Sequence, residues 1–353
     1  MDTRPHDLTT KALDELLLLG ISLINQDCKT MANFCLGPIQ GKIRSNNALA
    51  FQELTYCLIP DSDHFNYSDT LNIDVLIGDS EASLIPPPWN FPHSDTRHLE
   101  RIHVSRDQKI TASYDHDRKF WMILNIERKH ALFWAAELKD IPFWEKAAPF
   151  KQILNWYLAN TPYFMMHGGA VSYGNASVLL VGPGGSGKSS TVGSCFAENL
   201  DVSGDDLIIV GKGCSHYEVY GIYNSIKLLP NTNSTIKNLF STNNLKNCGD
   251  KKMGRYTDLR ANSLSNKSII LALFNCTISE YGITKISSMS PISMMKFVIP
   301  PTIFLLRGHE AIAIKKIATM IREVQCCKLE LGAKPPEIVS AIKQFIQTNT
   351  YVA

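Results

Sequence analysis

The sequence predicts an α/β fold: a P-loop domain with a twisted mixed sheet flanked by helices, preceded by a β-rich N-terminal domain. Three observations predict it. Val178 to Val181 form an apolar run that passes straight into the glycine-rich turn Gly182-Pro183-Gly184-Gly185-Ser186-Gly187-Lys188-Ser189-Ser190. Short apolar runs separated by turn residues recur between Ala48 and Glu137, as strands of a small antiparallel domain would. Beyond residue 150, apolar strand runs such as Ser268 to Phe274 and Cys327 to Leu331 accompany helix-compatible residues after the P-loop and a closing helix from Pro336. The expected domains are residues 1–149 and 150–353.

A chain of 353 residues with 44% hydrophobic content can bury substantial cores. Its 35 Lys and Arg against 33 Asp and Glu give a net charge of +2, too little to demand a nucleic acid or an anionic membrane as partner. The apolar run Leu16 to Ile24 is too short to span a bilayer and lacks a basic leader and a cleavage site, so the expected location is the cytoplasm. The nine cysteines contain no C-x-x-C pair and are read as reduced thiols. Of these, Cys326 and Cys327 are expected to give one buried and one exposed thiol on a strand.

Taken in order, residues 9–25 have helix-forming composition and a threonine start signal. Leu71 to Ile77, Lys109 to Tyr114, Phe120 to Ile126 and Ala131 to Ala136 read as strands. The turns between them include Pro86-Pro87-Pro88. A helix from about Glu145 to Leu158, stopped before Thr161-Pro162, joins the halves. After the P-loop come a short strand ending in Gly204-Asp205-Asp206 and a second apolar strand. A polar stretch from Asn231 to Asn266 is expected at the surface, partly mobile and over the site. Cys327 to Leu331 and Pro336 to Gln347 give a last strand and a closing helix.

The turn matches G-x-x-x-x-G-K-[ST], and each part has a physical reason. Glycines leave no Cβ in the way, so successive backbone N–H groups can turn inward around phosphate oxygens. A helix starting near Lys188 aims its positive dipole end at the same oxygens. Lys188 would reach the β- and γ-phosphates, and the Ser189 hydroxyl would ligate Mg²⁺. Phosphoryl transfer also needs metal support and a group that orients or deprotonates the acceptor. Asp205 and Asp206 are the candidates, because adjacent residues at a strand end face opposite sides.

With His167-Gly168, a strand, the P-loop and Gly204-Asp205-Asp206 in that order, the chain resembles the HPr kinase/phosphorylase family. There too the second Asp lies eighteen residues after the P-loop lysine, as Asp206 does after Lys188. The likeness extends to HPr-kinase-related proteins that phosphorylate a serine of lasso-peptide precursors, with Tyr223-Asn224-Ser225-Ile226-Lys227-Leu228 matching a Tyr-x-x-x-Lys-Leu segment. It covers about residues 140–230 well, the C-terminal hundred loosely, and the first 130 only in general character. The resemblance implies ATP and Mg²⁺ as cofactors, Lys188 on the phosphates, Ser189 on the metal and Asp206 as general base. It further implies His167 as the active-site histidine and Asp205 as support to metal or base. Oligomers are implied as well.

The chain departs from that pattern in two places. The magnesium-binding glutamate of the family lies in a Glu-Ile-Arg-Gly segment; the similar Glu218-Val219-Tyr220-Gly221 makes Glu218 a candidate metal ligand, but it lacks the arginine and follows Asp206 by only twelve residues. The segment that engages HPr is not evident in Gly332 to Val339, so HPr is not the expected substrate. The expected acceptor is a serine of a peptide or small protein, and the N-terminal domain is a candidate to hold it. A small hydroxylated molecule as acceptor, or a nucleotide-dependent switch with no acceptor, stay open. Lys227, Lys251, Lys252 and Arg255 are candidates to carry positive charge to the phosphoryl group.

Overall fold

The computed structural model describes residues 5–58, 70–80, 84–85, 101–228, 245–249, 251–258, 260, 264 and 267–350. Pro86 to Pro88 and most of the Asn231–Asn266 stretch lie outside them. The fold is mixed α/β. The chain divides into two compact units: Met1–Cys35 with Ile39–Tyr157, and Leu158–Ala353 with Leu36–Pro38.

The first unit opens with α1 (Pro5–Asp27), then β1 (Thr30–Leu36), β2 (Ile39–Ser45) and α2 (Ala48–Thr55). Five strands follow: β3 (Leu71–Ile77), β4 (Arg101–Val104), β5 (Ile110–Asp115), β6 (Phe120–Asn125) and β7 (His130–Ala135). The sheet order is β1-β2-β3-β7-β6-β5-β4. Leu13, Leu16, Leu17 and Ile24 recur at helical spacing on α1 and bury against Trp121, Ile123, Leu132 and Trp134 of the sheet. Gly20 permits this approach, since a Cβ there would stand 2.5 Å from Leu132 Cδ2.

The antiparallel expectation needs correction. β3 runs parallel to both β2 and β7, and the connection from β2 to β3 contains α2, as a parallel crossover requires. Asp74 lies fully buried in β3, which only pairing makes tolerable. Arg44 donates to both its oxygens at 2.8 and 2.7 Å, and His130 Nε2 lies 2.8 Å from Oδ2. The hairpin β1–β2 was not anticipated; its signal was the alternation in Ile39-x-Gly41-x-Ile43, which buries every second residue.

The helix expected over residues 145–158 is two helices, α3 (Phe143–Ala147) and α4 (Lys151–Leu158). Pro149 separates them, having no N–H to continue the ladder and excluding helical geometry from Ala148. Phe150 takes φ +59° to restart the chain.

The second unit contains β8 (Tyr163–His167), β9 (Gly169–Tyr173), β10 (Ala176–Val181), α5 (Lys188–Ala197), β11 (Asp201–Gly204), β12 (Leu207–Lys212) and β13 (Tyr217–Gly221). Then come β14 (Ile226–Leu228), β15 (Lys246–Cys248), β16 (Lys251–Gly254), β17 (Ser268–Ile278), β18 (Lys285–Ser288), α6 (Pro291–Leu305), α7 (Glu310–Glu323), β19 (Gln325–Leu331) and α8 (Pro335–Thr350). The large sheet has the order β11-β9-β10-β17-β13-β12-β8, with β19 between β17 and β18. β10, β17 and β19 are parallel neighbours.

Period-2 alternation sorts the side chains into three layers. Val178 and Leu180 of β10 join a core with Val192 and Phe196 of α5 and Ile342 and Ile346 of α8. Leu179 and Val181 face the other way, toward Met294 and Val298 of α6 and Ile317 and Met320 of α7. Helices therefore cover both faces, which corrects the reading of the paired thiols. Cys327 is buried in the first core and Cys326 in the second.

Lys316 of α7 ties down the segment entering β8. Its ammonium donates among the carbonyls of Leu158, Ala159, Thr161 and Tyr163 at 2.7 to 3.0 Å. Lys316→Met leaves four acceptors without their donor, and the expected loss is about 3 kcal/mol in a urea melt. A loss below about 1 kcal/mol would show that solvent satisfies those carbonyls.

Candidate active site

The loop after β10 is shaped by backbone conformations that side chains resist. Gly182 has φ +137° and Gly187, the residue capping α5, has φ +95°. Neither has room for a methyl group. A Cβ on Gly182 would stand 2.9 Å from Ser186 Oγ, and one on Gly187 would stand 2.4 Å from Leu331 Cδ1. At Gly184 a Cβ meets nothing within 4 Å. The expected result is that Gly184→Ala folds and melts like the parent, while Gly182→Ala and Gly187→Ala each lose roughly 2 kcal/mol or more. Equal melting of all three would contradict this loop geometry.

Pro183, Gly184, Gly185 and Ser190 are exposed, Ser189 is half-buried, and Ser186 and Lys188 are buried. The Lys188 ammonium folds back on the loop and donates to the carbonyls of Gly182 and Pro183 at 2.7 and 2.9 Å. Burial pulls its pKa below the ordinary lysine value, while the charges of Asp205 and Asp206 oppose that shift.

Those two aspartates are placed by a bent ribbon. Residues of β8 and β9 run antiparallel to β12 and β11, with Leu207 opposite His167 and Gly204 opposite Ala170. Between the two halves the strand is interrupted at Gly168, just before Gly169 opens β9, and at Asp205-Asp206 on the other side. Glycine is required at the bend, since a Cβ on Gly169 would stand 2.6 Å from Val192 Cγ2 of α5. The bend therefore brings the Asp pair up to the start of the helix.

The two carboxylates have opposite environments. Asp205 is 4% exposed, and neither oxygen makes a well-formed hydrogen bond, although the Ser189 hydroxyl lies near enough to make a weak one. Burial, and then the charge of Asp206, push its pKa up to about 6, with the Ser189 hydroxyl, Lys227 and His167 pulling the other way. Asp206 has φ +91°, a conformation that aspartate tolerates better than most residues. Burial would raise its pKa as well, but Lys227 and His167 outweigh burial and hold it well below the usual carboxylate range. Lys227 Nζ lies 2.5 Å from Asp206 Oδ2. His167 Nδ1 lies 2.8 Å from the Asp206 carbonyl oxygen and 3.3 Å from Oδ1. A carbonyl can only accept, so Nδ1 carries a proton.

Lys188, Ser189, Asp205, Asp206 and His167 are thus gathered at one place. Glu218 is not among them. It pairs in register with Gly211, four residues along β12 from Leu207 and so about 13 Å away. There it accepts from Tyr220 at 2.7 Å and pairs with Lys267 at 2.8 Å. Among the later cations, the small sheet β14-β16-β15 selects. Lys227 sits opposite Met253, which places it on the same face as Lys251 and opposite to Lys252. Lys251 is close enough to Lys188 to depress its pKa. Arg255 is held by Asp258 at 2.5 Å.

Ser189 and Asp205 could hold a magnesium ion. Two unbonded buried carboxylate oxygens beside a hydroxyl form the oxygen donor set that Mg²⁺ takes. The described residues contain no cluster of three or more His, Cys, Asp or Glu side chains that could hold a metal. Such an ion would draw its remaining ligands from phosphate and water, as Mg²⁺ does in nucleotide sites.

Three polar residues escaped the sequence reading. Thr302 of α6 accepts from the His167 amide at 3.1 Å. The buried Tyr256 hydroxyl makes no hydrogen bond and senses the charge of Asp205. Asn275, 1% exposed, lies beside the loop with its Oδ1 unbonded. Only Asn275 left a signal, as the one polar side chain between Ile269 and Cys276.

No family model matches the chain, and no curated protein matches it. Among solved structures it is similar to the Hpr(Ser) kinase/phosphatase from Coxiella burnetii, at 8% identity and a TM-score of 0.31, over 53% of this chain and 98% of that one. A likeness that slight carries no argument about function. No helix among the described residues is long and apolar enough to cross a membrane.

Proposed function

We propose that this chain is a Mg·ATP-dependent kinase that phosphorylates a serine hydroxyl of a peptide or small protein other than HPr. The observation that carries the reading is the unbonded Asp205 carboxylate beside Ser189, at the mouth of a glycine loop that holds Lys188. A buried carboxylate with no direct ion-pair partner costs the fold stability that a bound cation would return.

In this reading the loop amides and the amino terminus of α5 hold the phosphates, with Gly182, Gly185 and Gly187 supplying the positive φ angles. Mg²⁺, when bound, neutralises charge on the transferring group. Lys188 exchanges the loop carbonyls for phosphate oxygens, and Lys227 and Lys251 approach the same group. Asp206 orients the serine hydroxyl and takes its proton late, as a dissociative transition state allows. Its partnership with Lys227 makes it a weak base at rest, and movement of Lys227 toward the phosphoryl oxygens releases it. The proton on His167 Nδ1 is engaged with Asp206, so His167 acts by fixing that residue.

Asp205 gives the reading a pH signature. Its folded pKa of about 6 lies above the ordinary carboxylate value, so the stability it contributes is full below about pH 4 and is lost as pH rises through 6. The shift corresponds to about 3 kcal/mol. Mg²⁺ and the proton compete for the same carboxylate. The Mg²⁺ concentration for half-maximal ATP binding is therefore expected to rise as pH falls from 7 to 5, and that rise to shrink in Asp205→Asn to the part that protonation of the terminal phosphate itself causes. A rise of the same size in Asp205→Asn would remove Asp205 from the metal.

The test of the function is mass spectrometry of a pool of serine-containing peptides after incubation with Mg·ATP. The reading expects a gain of one phosphate on a serine with the parent chain and none with Lys188→Ala or Asp206→Asn. Phosphate release without any phosphopeptide would replace it with a metabolite kinase or a switch.

A further inference from the structure

Asn275 occupies a place where an apolar residue would serve the fold better. It lies in β17 within the run Ile269-Ile270-Leu271-Ala272-Leu273-Phe274-Asn275-Cys276, paired in parallel register with Val181 on one side and Lys328 on the other. At 1% exposure its Oδ1 makes no hydrogen bond, an omission that ordinarily costs 1–3 kcal/mol. A second unbonded polar atom lies beside it. Ser186 Oγ, on a side chain 8% exposed, also has no partner. Both atoms crowd one point, standing 3.2 and 2.9 Å from where a Cβ of Gly182 would be.

The loop lysine meets the same residue. Lys188 Nζ bonds to the Gly182 carbonyl at 2.7 Å, so Lys188 and Asn275 both lie against Gly182, and a phosphoryl group paired with that ammonium would come near this residue. In a loop of this kind the lysine reaches the β- and γ-phosphates. The Asp pair, whose charges Lys188 feels, lies on the side where the transferred group must meet its acceptor.

We propose that Asn275 is the residue that recognises the terminal phosphate of a nucleoside triphosphate, donating from its amide nitrogen while the Ser186 hydroxyl donates to its Oδ1 and fixes its orientation. The inference rests on the nucleotide reading above and deepens it. It gives the site a means to distinguish triphosphate from diphosphate, and so to release the spent nucleotide.

The test is calorimetric titration of the full chain with Mg·ATP and with Mg·ADP. Asn275→Ala is expected to weaken ATP about tenfold or more and to leave ADP within about twofold, as loss of one hydrogen bond to a charged group predicts. Asn275→Asp keeps the shape and adds a negative charge, so it is expected to bind ADP and lose ATP further. Should the alanine variant fail to fold, the aspartate variant carries the test. Ser186→Ala is expected to shift the ATP/ADP ratio in the same direction by less. A ratio unchanged in both Asn275 variants overturns the proposal and makes the residue a buried polar filler. A parent chain that binds neither nucleotide removes the nucleotide reading first, and this inference with it.

Discussion

Asp206→Asn is expected to slow phosphoryl transfer by about three orders of magnitude, within the range for loss of a positioned general base. Mg·ATP affinity is expected to change less than about threefold. The separation follows from the geometry. Asn has nearly the same shape, tolerates the φ of +91° at this position, and keeps the backbone carbonyl that lies 2.8 Å from His167 Nδ1. It cannot accept the serine proton. It also leaves Lys227 without its carboxylate, 2.5 Å away in the parent. The Asp206 side chain is 29% exposed, so water screens that loss and the fold persists. Parallel measurement of kcat under saturating Mg·ATP and of ATP binding separates the two roles. A variant that binds ATP and transfers phosphate at the parent rate would leave Asp206 a structural turn residue.

Lys188→Ala is expected to act on both quantities. Lys188 is 8% exposed and its ammonium is bonded to the loop itself, so a triphosphate held there would lose a fixed positive charge of the loop. A fall of about a thousandfold in kcat/KM, equivalent to about 4 kcal/mol, is the expected size. Lys188→Arg is not expected to rescue it, because a planar guanidinium does not fit a position packed against two carbonyls and the first turn of α5. Gly184→Ala, whose Cβ would meet no protein atom within 4 Å, is the control for the fold of the loop and should melt like the parent.

How much of this was legible in the sequence depended on whether a signal was local. The strand-loop-helix around Gly182 to Lys188 was readable because apolar run, glycines and helix start are contiguous, and strand β10 and helix α5 lie where they imply. The Asp pair was readable as a strand end. Its partner across the ribbon, the Gly168-Gly169 bend, was visible only as the letters beside His167. Parallel pairing of β2, β3 and β7 was not legible, since strand direction depends on the path between strands and not on their composition. The break at Pro149 was legible from the proline itself, although one helix from Glu145 to Leu158 was expected across it.

Residues brought together across long separations were the ones missed. Asn275 meets Gly182 across 93 positions of sequence, and only the parallel register of β10 with β17 puts them side by side. Glu218 failed for the converse reason. It matched a short motif by letters, but a β-hairpin carries its second strand away from the turn residue by residue. The register with Gly211 therefore leaves it far along β12 from the Asp pair. The cations between Lys227 and Arg255 could not be ranked without the small sheet, which turns Lys227 and Lys251 to one side and Lys252 to the other.

The most direct test of the central claim is titration of the chain with ATP in the presence and absence of Mg²⁺, repeated for Lys188→Ala and Asp205→Asn. The account predicts saturable ATP binding by the parent that Mg²⁺ strengthens, near-complete loss in Lys188→Ala, and binding in Asp205→Asn that Mg²⁺ no longer strengthens. Binding of ATP that is indifferent to both substitutions, or no binding by a folded parent chain, would contradict it.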